Sequence, residues 1–468
     1  MEMTTAKQNK IPGSFRDPSG FLFYQENILY RQINLSYQDD YELLMNSGLY
    51  QRLVKEKLLV EHQEISLENI TDPKKYKIIR PDHLDFISYP YEWGFNQLKQ
   101  AALLTLKIQK IALESGLTLK DASAYNVQFN GALPIFIDTL SFSKYNEGEP
   151  WIAYRQYCQH FLAPLALMAY RDIRLNQLFR VFIDGIPLDL ASRLLPLKTK
   201  LKFSLLSHIH LHAKSQKLYA NKTIEVAKQR QKISKFSFLG LIDNLEEATK
   251  SLNWKIPKTE WGDYYQDDSY SQEALKDKKE LTLEYLEIAQ PKNAWDLGGN
   301  TGLLSRLASD QGIKTICFDI DQAAVEKNYL YSLKKDEKNL IPLFLDLTNP
   351  SPGLGWNNNE RQSLVKRGPV DIAFAFALVH HLAISNNLPF SKIAQFCAQI
   401  CNWLIIEFVP KQDKKVKKLL ATREDIFPNY NQDNFEKVLA KYFEIIKTNQ
   451  IKNSLRVLYL MKKKNNEI

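Results

Sequence analysis

From about residue 290 onward, short apolar runs alternate with longer amphipathic stretches. Ala294-Trp295, Thr315–Phe318, Ile341–Leu345, Val370–Ala375 and Trp403–Ile406 each have the length and composition of a buried strand. Helical spacing separates them, which predicts a mostly parallel α/β sheet. Two more runs, Phe443–Lys447 and Arg456–Met461, flank the polar Asn449–Ser454 and predict an antiparallel hairpin at the end of a seven-stranded sheet.

The earlier half has another rhythm. Phe21–Tyr24 and Ile28–Ile33 read as a hairpin around Glu26-Asn27, while Tyr41–Val60 and Gln97–Glu114 have helical spacing. The pattern predicts an α+β domain over 21–220, after a flexible polar N-terminus at 1–20. A connector rich in Lys, Gln and Ser, helical around Asn244–Leu252, spans 221–260, and the α/β domain occupies 261–468. At 468 residues, two domains are the expectation from length as well.

The strand ends carry the chemistry. Asp296-Leu-Gly298-Gly299-Asn300-Thr-Gly302 follows the first run and precedes a helical stretch. Glycines there let backbone approach a ligand closely, and the next helix offers unpaired N–H groups. Asp319 closes the second run, where a carboxylate can accept hydrogen bonds from ribose hydroxyls. Asp346-Leu347 closes the third. In this order the motifs resemble those of the class I S-adenosylmethionine-dependent methyltransferases, a Rossmann-like fold. The resemblance covers about residues 260–468 and implies S-adenosyl-L-methionine as cofactor. It also implies cofactor contacts from Asp296, Gly298, Gly299, Asn300, Gly302, Asp319, Asp346 and Leu347. Asn300 departs from the pattern, standing where the family has a glycine.

Asp121-Ala-Ser-Ala-Tyr-Asn126 precedes an apolar run, an Asn130-Gly131 turn, Pro134–Ile137 and then Asp138. This spacing resembles the catalytic loop and metal-binding Asp of the protein-kinase-like fold, in which the first Asp orients the attacking hydroxyl and the other two hold Mg²⁺. A nucleotide or metal site at Asp121, Asn126 and Asp138 is what the resemblance implies. There are departures: no glycine-rich loop precedes the hairpin, Leu119-Lys120 replaces His-Arg, and Thr139 follows Asp138. Arg31 can at most stand in for the phosphate-binding Lys, with Glu42 as partner. The whole chain also resembles a bacterial family of methyltransferases related to a host-specific rhizobial nodulation protein. Ile87–Trp93, Leu119–Phe129, Phe136–Phe142, Trp151–Tyr157 and Ala377–Leu382 carry that likeness.

His380 and His381 follow the fourth run, at the edge where open α/β sheets place ligands, and either can take a proton from an acceptor hydroxyl. Packing against the cofactor is the plainer role. Glu407 closes the fifth run and can orient a histidine or bind substrate. His208, His210 and His212 would share one face of a strand, but without a nearby cysteine or carboxylate they read as structural, and no transition-metal site is predicted. Cys397 and Cys401 read as core residues. Trp261–Tyr265 and Tyr270 suit a cofactor lid or an aromatic cluster. Lys411, Lys414, Lys415, Lys417 and Lys418 read as a solvated helix face, with holding an anionic substrate near the site as the alternative.

Composition narrows the picture. Four cysteines are too few for a disulfide framework and fit a reducing cytoplasm. The N-terminus reads as no secretory signal, and no apolar run is long enough to span a bilayer. A net charge of +9 is mild for this size. Ala375-Phe-Ala-Leu378 is not an Asn-Pro-Pro-Tyr type loop, and no Pro-Cys pair is present, so nucleic acid is disfavoured as acceptor. The expected activity is methyl transfer to an oxygen or nitrogen of a glycan or other small molecule. The alternatives are a bifunctional kinase–methyltransferase and a non-catalytic nucleotide-sensing scaffold.

Overall fold

The computed structural model describes residues 9–67, 70–213, 232–259, 271–421 and 423–464. The chain forms two units: Met1–Lys255 with Gly353–Arg361, and Ile256–Pro352 with Gln362–Ile468.

The second unit is built on one seven-stranded sheet. Its strands are β10 (Asn293–Leu297), β11 (Lys314–Asp319), β12 (Leu340–Phe344), β13 (Val370–Ala375), β14 (Cys401–Phe408), β15 (Phe443–Gln450) and β16 (Val457–Lys463). They lie in the order β12-β11-β10-β13-β14-β16-β15. The first five pair in parallel, whereas β16 runs antiparallel to both neighbours. Helices covering both faces of a parallel sheet require strands apolar on both sides. Ala294, Ile372, Phe374, Ile405, Leu458 and Leu460 pack with Tyr285 and Leu286 of the helix Gln272–Ala289, and Ala373, Leu404, Ile406 and Tyr459 at alternate positions are buried too. Pro342 cannot donate to a ladder, and it sits on the edge strand β12, where only one neighbour needs pairing. The strand order reverses between β10 and β13, and a ligand crevice is expected at that switch point. This is the class I methyltransferase sheet implied by the sequence.

The first unit is α+β. Strands β1 (Asn9–Lys10), β2 (Gly20–Gln25), β3 (Ile28–Asn34), β4 (His62–Ile65) and β5 (Lys75–Pro81) form an antiparallel sheet in the order β1-β2-β3-β5-β4. Glu26 and Asn27 both adopt left-handed backbone, the geometry of a two-residue hairpin turn matching strand twist. Helices α1 (Gln38–Asn46) and α2 (Leu49–Lys55) lie between β3 and β4 in sequence, and α3 (Phe95–Glu114) follows the sheet. Next come two small antiparallel pairs: β6 (Leu117–Leu119) with β9 (Phe142–Lys144), and the hairpin β7 (Val127–Asn130) with β8 (Leu133–Phe136). A loop after β6, a hairpin, and a loop after β8 are the layout that the kinase-like resemblance implies.

Several expectations change. Residues 9–20 are not a loose tail: Asn9 and Lys10 pair with Tyr24 and Phe23, and Arg16 forms a two-bond ion pair with Glu360 at 2.8 Å. The helix expected over Tyr41–Val60 is two helices, because Gly48 at φ +78° breaks the run. Within the expected connector, Lys235–Ser251 is a helix of the first unit, with Phe238, Ile242 and Leu245 buried. Residues 214–231 lie outside the described residues, as do Trp261–Tyr265 and Tyr270. His208 and His210 lie on a π-helical turn, Leu206–Leu211, not on a strand. His208 bonds Tyr154 and Asn244 at 2.7 Å each, and His210 bonds Ser192 and Thr199, so both serve packing.

Phe374 is fully buried in β13, three residues before the turn that walls the site. Phe374→Ala is expected to cost about 3–5 kcal/mol through the cavity left behind. Denaturant unfolding followed by tryptophan fluorescence checks this, and a loss below about 1 kcal/mol would mean the sheet is not packed as described.

Candidate functional site

β10 ends at Leu297, and the chain turns through Gly298 at φ +78°. The amides of Gly298 and Gly299 both donate to the Phe318 carbonyl at 2.9 Å, drawing the turn onto the end of β11. A Cβ on Gly299 would sit 2.5 Å from Cys317 Sγ and 2.7 Å from Asp296 Oδ2, so only glycine fits. Asn300 follows at φ +54°, a conformation that Asn tolerates better than most residues. That explains how Asn replaces the family's glycine there. Its amide donates to Asp319 Oδ2 at 2.8 Å, while Asp321 N–H donates to Asp319 Oδ1 at 2.8 Å. Asp319 thereby fixes the turn as well as facing the crevice.

A cavity of about 360 Å³ opens at this switch point, walled by Asp296, Gly298, Gly299, Asn300, Asp319 and Ile320. Lys278, Phe376, Ala377, Leu378 and His381 line it as well. Asp296 is fully buried. Its Oδ2 accepts from Ser305 Oγ at 2.6 Å, but its Oδ1 has no hydrogen-bond partner. A buried acceptor without a donor is costly unless a ligand satisfies it.

Sequence reasoning missed Lys278, on the helix Gln272–Ala289. Its ammonium is buried, 2.6 Å from Glu407 Oε2 and 4.6 Å from the centre of the Phe376 ring. Glu407 Oε2 also accepts from the Ala377 amide at 2.9 Å, and Glu407 Oε1 faces Arg456 at 3.3 Å. Ala377 has φ +46°, an uncommon backbone for alanine, held by that bond. Glu407 therefore stands behind the wall, not in it. Its carboxylate places Lys278 and the Ala377 turn, and its charge also acts on His380.

Electrostatics follow from burial. Burial raises the Asp296 carboxyl to about 7, against the pull of Ser305 and Lys278. Asp319 is likewise raised by burial to about 6, with the amides of Asp321 and Asn300 opposing. Burial lowers Lys278, and Glu407 holds it up. His380 is buried and pushed well below the usual histidine value by burial, then by His381 and Arg456, so it stays neutral.

The two histidines part company. His381 lines the cavity, whereas His380 is turned into the fold with its ring 4.1 Å from that of His381. Asp346 and Leu347 are not among the cavity walls, and Asp346 Oδ1 accepts from the amide and hydroxyl of Thr348. Gly302, at φ +78°, is also outside the wall; a Cβ there would meet Arg306 and Asn328 at 2.6 Å. Cys397 and Cys401 are buried and free. Lys414–Leu420 is a helix with Lys414, Lys417 and Lys418 exposed, and Lys411 pairs with Asp425.

In the first unit, Asp121, Asn126 and Asp138 come together. Asn126 Nδ2 donates to Ser141 Oγ at 3.2 Å, and Ser141 Oγ donates to Asp138 Oδ2 at 2.6 Å. Asp121 accepts from Gln156 at 2.8 Å and also interacts with Asn126. Arg31 pairs with Asp138 and, at 3.3 Å, with Asp17. Glu42 bonds Tyr76 and Gln38 instead, correcting the expected Arg31–Glu42 pair. Burial and then Asp138 raise the Asp121 carboxyl, while Arg31 and Ser141 overcome burial to hold Asp138 low. The two neighbouring carboxyls are thus shifted in opposite directions.

Over 459 residues the chain is 34% identical to the nodulation protein NoeA of Rhizobium meliloti (strain 1021), covering 97% of this chain and 96% of that protein. The chain belongs to the NoeA family. No protein-family model matches it. Among solved structures it is similar to WbdD, at 15% identity over 44% of each chain with a TM-score of 0.29. That match spans less than half of WbdD, which another of its structures describes as a bifunctional kinase-methyltransferase. It is also similar to the N-methyltransferase NodS from Bradyrhizobium japonicum WM9, at 8% identity over 41% of this chain and 98% of that one, TM-score 0.29. A third is magnesium protoporphyrin IX methyltransferase from Synechocystis PCC 6803 with bound SAH, at 14% identity over 41% and 84%, TM-score 0.30. At such scores, the fold of this NoeA relative rests on its own strand order.

Because Asp296 titrates near 7 in the folded chain and near 3.8 as an ordinary Asp, the folded state keeps a proton that the unfolded state has released between those values. Its contribution to stability therefore falls as pH rises from about 4 to about 7, then stays flat. Asp296→Asn should lose that slope and gain on the parent above pH 7, as read from unfolding midpoints across pH. Parallel profiles for parent and variant would contradict the assignment.

Proposed function

We propose that this chain is an S-adenosyl-L-methionine-dependent methyltransferase acting on an oxygen or nitrogen of a glycan or other small-molecule acceptor. The observation that carries this is the walled cavity at the strand switch point, where the Gly298–Asn300 backbone, the orphan Asp296 Oδ1 and the Asp319 carboxylate converge. These features fit the cofactor. The glycine turn leaves room for close backbone approach, Asp319 accepts ribose hydroxyls, and Asp296 has an unsatisfied oxygen for a donor. The bound cofactor would supply a methyl group on an already activated sulfonium.

The chain's own residues then have limited tasks: alignment, exclusion of water and removal of one proton. Lys278, Phe376 and Ala377 line the same cavity as the glycine turn. His381 is the proton acceptor in this reading, because it faces the cavity while His380 does not. Glu407 is a positioning residue. Asp346, Leu347 and Gly302 shape the cofactor's surroundings without walling the cavity.

A second reading adds phosphoryl transfer by the first unit, and the convergence of Asp121, Asn126 and Asp138 favours it. Two carboxylates and an amide suit Mg²⁺. The loop from Ile11 to Ser19, between β1 and β2, contains one glycine, so it lacks the phosphate-cradling backbone of an active kinase.

Calorimetry with S-adenosyl-L-homocysteine tests the first reading. Asp319→Ala removes charge-assisted bonds worth about 1.5–3 kcal/mol each, so affinity should fall at least about tenfold. Gly299→Val should abolish binding. Parent affinity should also weaken as pH drops below about 6, where Asp319 gains a proton and accepts less well. Binding unchanged in both variants would remove the assignment.

Titration with Mg-ATP tests the second reading. Heat of binding that disappears in Asp138→Asn, together with labelled phosphate on an acceptor, would make the protein bifunctional. Absence of binding would leave methyl transfer alone, and the Asp138→Asn variant should then bind S-adenosyl-L-homocysteine like the parent.

A further inference from the structure

The first unit carries a surface stretch that no part of the methyl-transfer reading uses. Leu197-Lys-Thr-Lys-Leu-Lys-Phe203 alternates large apolar side chains with lysines. Leu197, Leu201 and Phe203 are 76%, 88% and 74% exposed, and Lys198, Lys200 and Lys202 are exposed between them. Single apolar residues in water are ordinary, but three this exposed within seven positions call for a reason.

The stretch is held in place, not loosely draped. Thr199 at its centre is buried; its Oγ1 donates to the Pro196 carbonyl at 2.7 Å and lies 3.0 Å from His210 Nε2. His210 Nδ1 is in turn 2.8 Å from Ser192 Oγ. With Thr199 pinned inward, its neighbours are turned out. Lys198 and Lys202 both reach the Tyr170 ring, 6.0 and 5.6 Å from its centre, which gathers two positive charges at one place. In sequence these lysines alternate with the exposed Leu197, Leu201 and Phe203, so apolar and cationic side chains are presented from one short segment. Between Asp189 and Asp243 the sequence has eleven Lys or Arg and one acidic residue, Glu225.

We propose that the Leu197–Phe203 knuckle docks on an anionic lipid bilayer. Leu197, Leu201 and Phe203 enter the boundary between headgroups and acyl chains, and Lys198, Lys200 and Lys202 meet the lipid phosphates. The charge pattern selects this occupant. An apolar face seeking a second copy of the chain would be disfavoured by three lysines meeting three lysines, whereas a negatively charged bilayer is complementary to them. Nothing here requires a spanning segment; among the described residues no helix is long and apolar enough to cross a membrane.

Co-sedimentation of the full chain with vesicles tests the proposal, using phosphatidylcholine alone and phosphatidylcholine mixed with phosphatidylglycerol. The parent should pellet with the anionic vesicles and remain in solution with the neutral ones. Raising the salt should weaken the binding. Lys198→Glu with Lys202→Glu should weaken it by well over the roughly fivefold expected for each lysine lost. Leu201→Asp with Phe203→Asp should abolish it, with the thermal midpoint and S-adenosyl-L-homocysteine affinity unchanged as proof of folding. A parent that ignores anionic vesicles, or variants that pellet like the parent, would overturn the proposal. So would a parent that is dimeric without lipid and becomes monomeric in the leucine variant, which would give the surface to a second copy. Lysine-dependent binding to polyglutamate without vesicle binding would likewise overturn it in favour of an acidic polypeptide.

Discussion

A carboxylate buried without compensation is among the most costly groups a protein can hold, and Glu407 is completely buried. Its position at the end of β14 forces other elements to meet it. Lys278 comes from the helix before the sheet, the Ala377 amide from the turn after β13, and Arg456 from the residue before β16. Arg456 also reaches Asp413 at 2.8 Å, extending the chain of charges to the segment after β14. Removing Glu407 would leave two buried cations facing each other. The cavity wall at Lys278 and Ala377 exists in its present shape because this charge must be satisfied.

The same logic shapes the cofactor side and the first unit. Asp319 accepts from two backbone amides, so the turn bearing Asn300 is locked before any ligand arrives. Preorganisation of this kind lowers the ordering cost of binding. In the first unit Arg31 compensates Asp138, while Asp121 is raised by burial and by its neighbour. Both units therefore keep acidic groups partly or fully out of water at the ends of strands, each stabilised by a different kind of partner. Asp319 is held by two backbone amides and Glu407 by Lys278, Arg456 and the Ala377 amide, whereas Asp138 is held by the Arg31 guanidinium, which a cation would have to displace or share.

Much of the second unit was legible because its signals are local. Apolar runs gave the strands, and the Asp296–Gly302 turn and Asp319 marked the switch point. What was not legible depends on distant contacts. Lys278 sits among Asp, Lys and Glu on an amphipathic helix, where a lysine reads as solvated; only its meeting with Glu407, far along the chain, shows otherwise. His380 and His381 are adjacent and chemically identical, so only the path of the turn decides which one faces the cavity. Glu407 closes its strand in the sequence, but its partners Lys278, Ala377 and Arg456 come from three distant segments. The Gly353–Arg361 segment joins the first unit through Glu360 and Arg16, which lie 344 positions apart, a pairing that no periodicity announces.

A crystal structure of the full chain grown with S-adenosyl-L-homocysteine addresses the central claim most directly. The account predicts the nucleoside in the crevice between β10 and β13, with its ribose hydroxyls on Asp319 and a donor on Asp296 Oδ1. His381, not His380, should face the sulfur side of the ligand. Ligand density elsewhere, or a crevice still without ligand at saturating concentration, would contradict it.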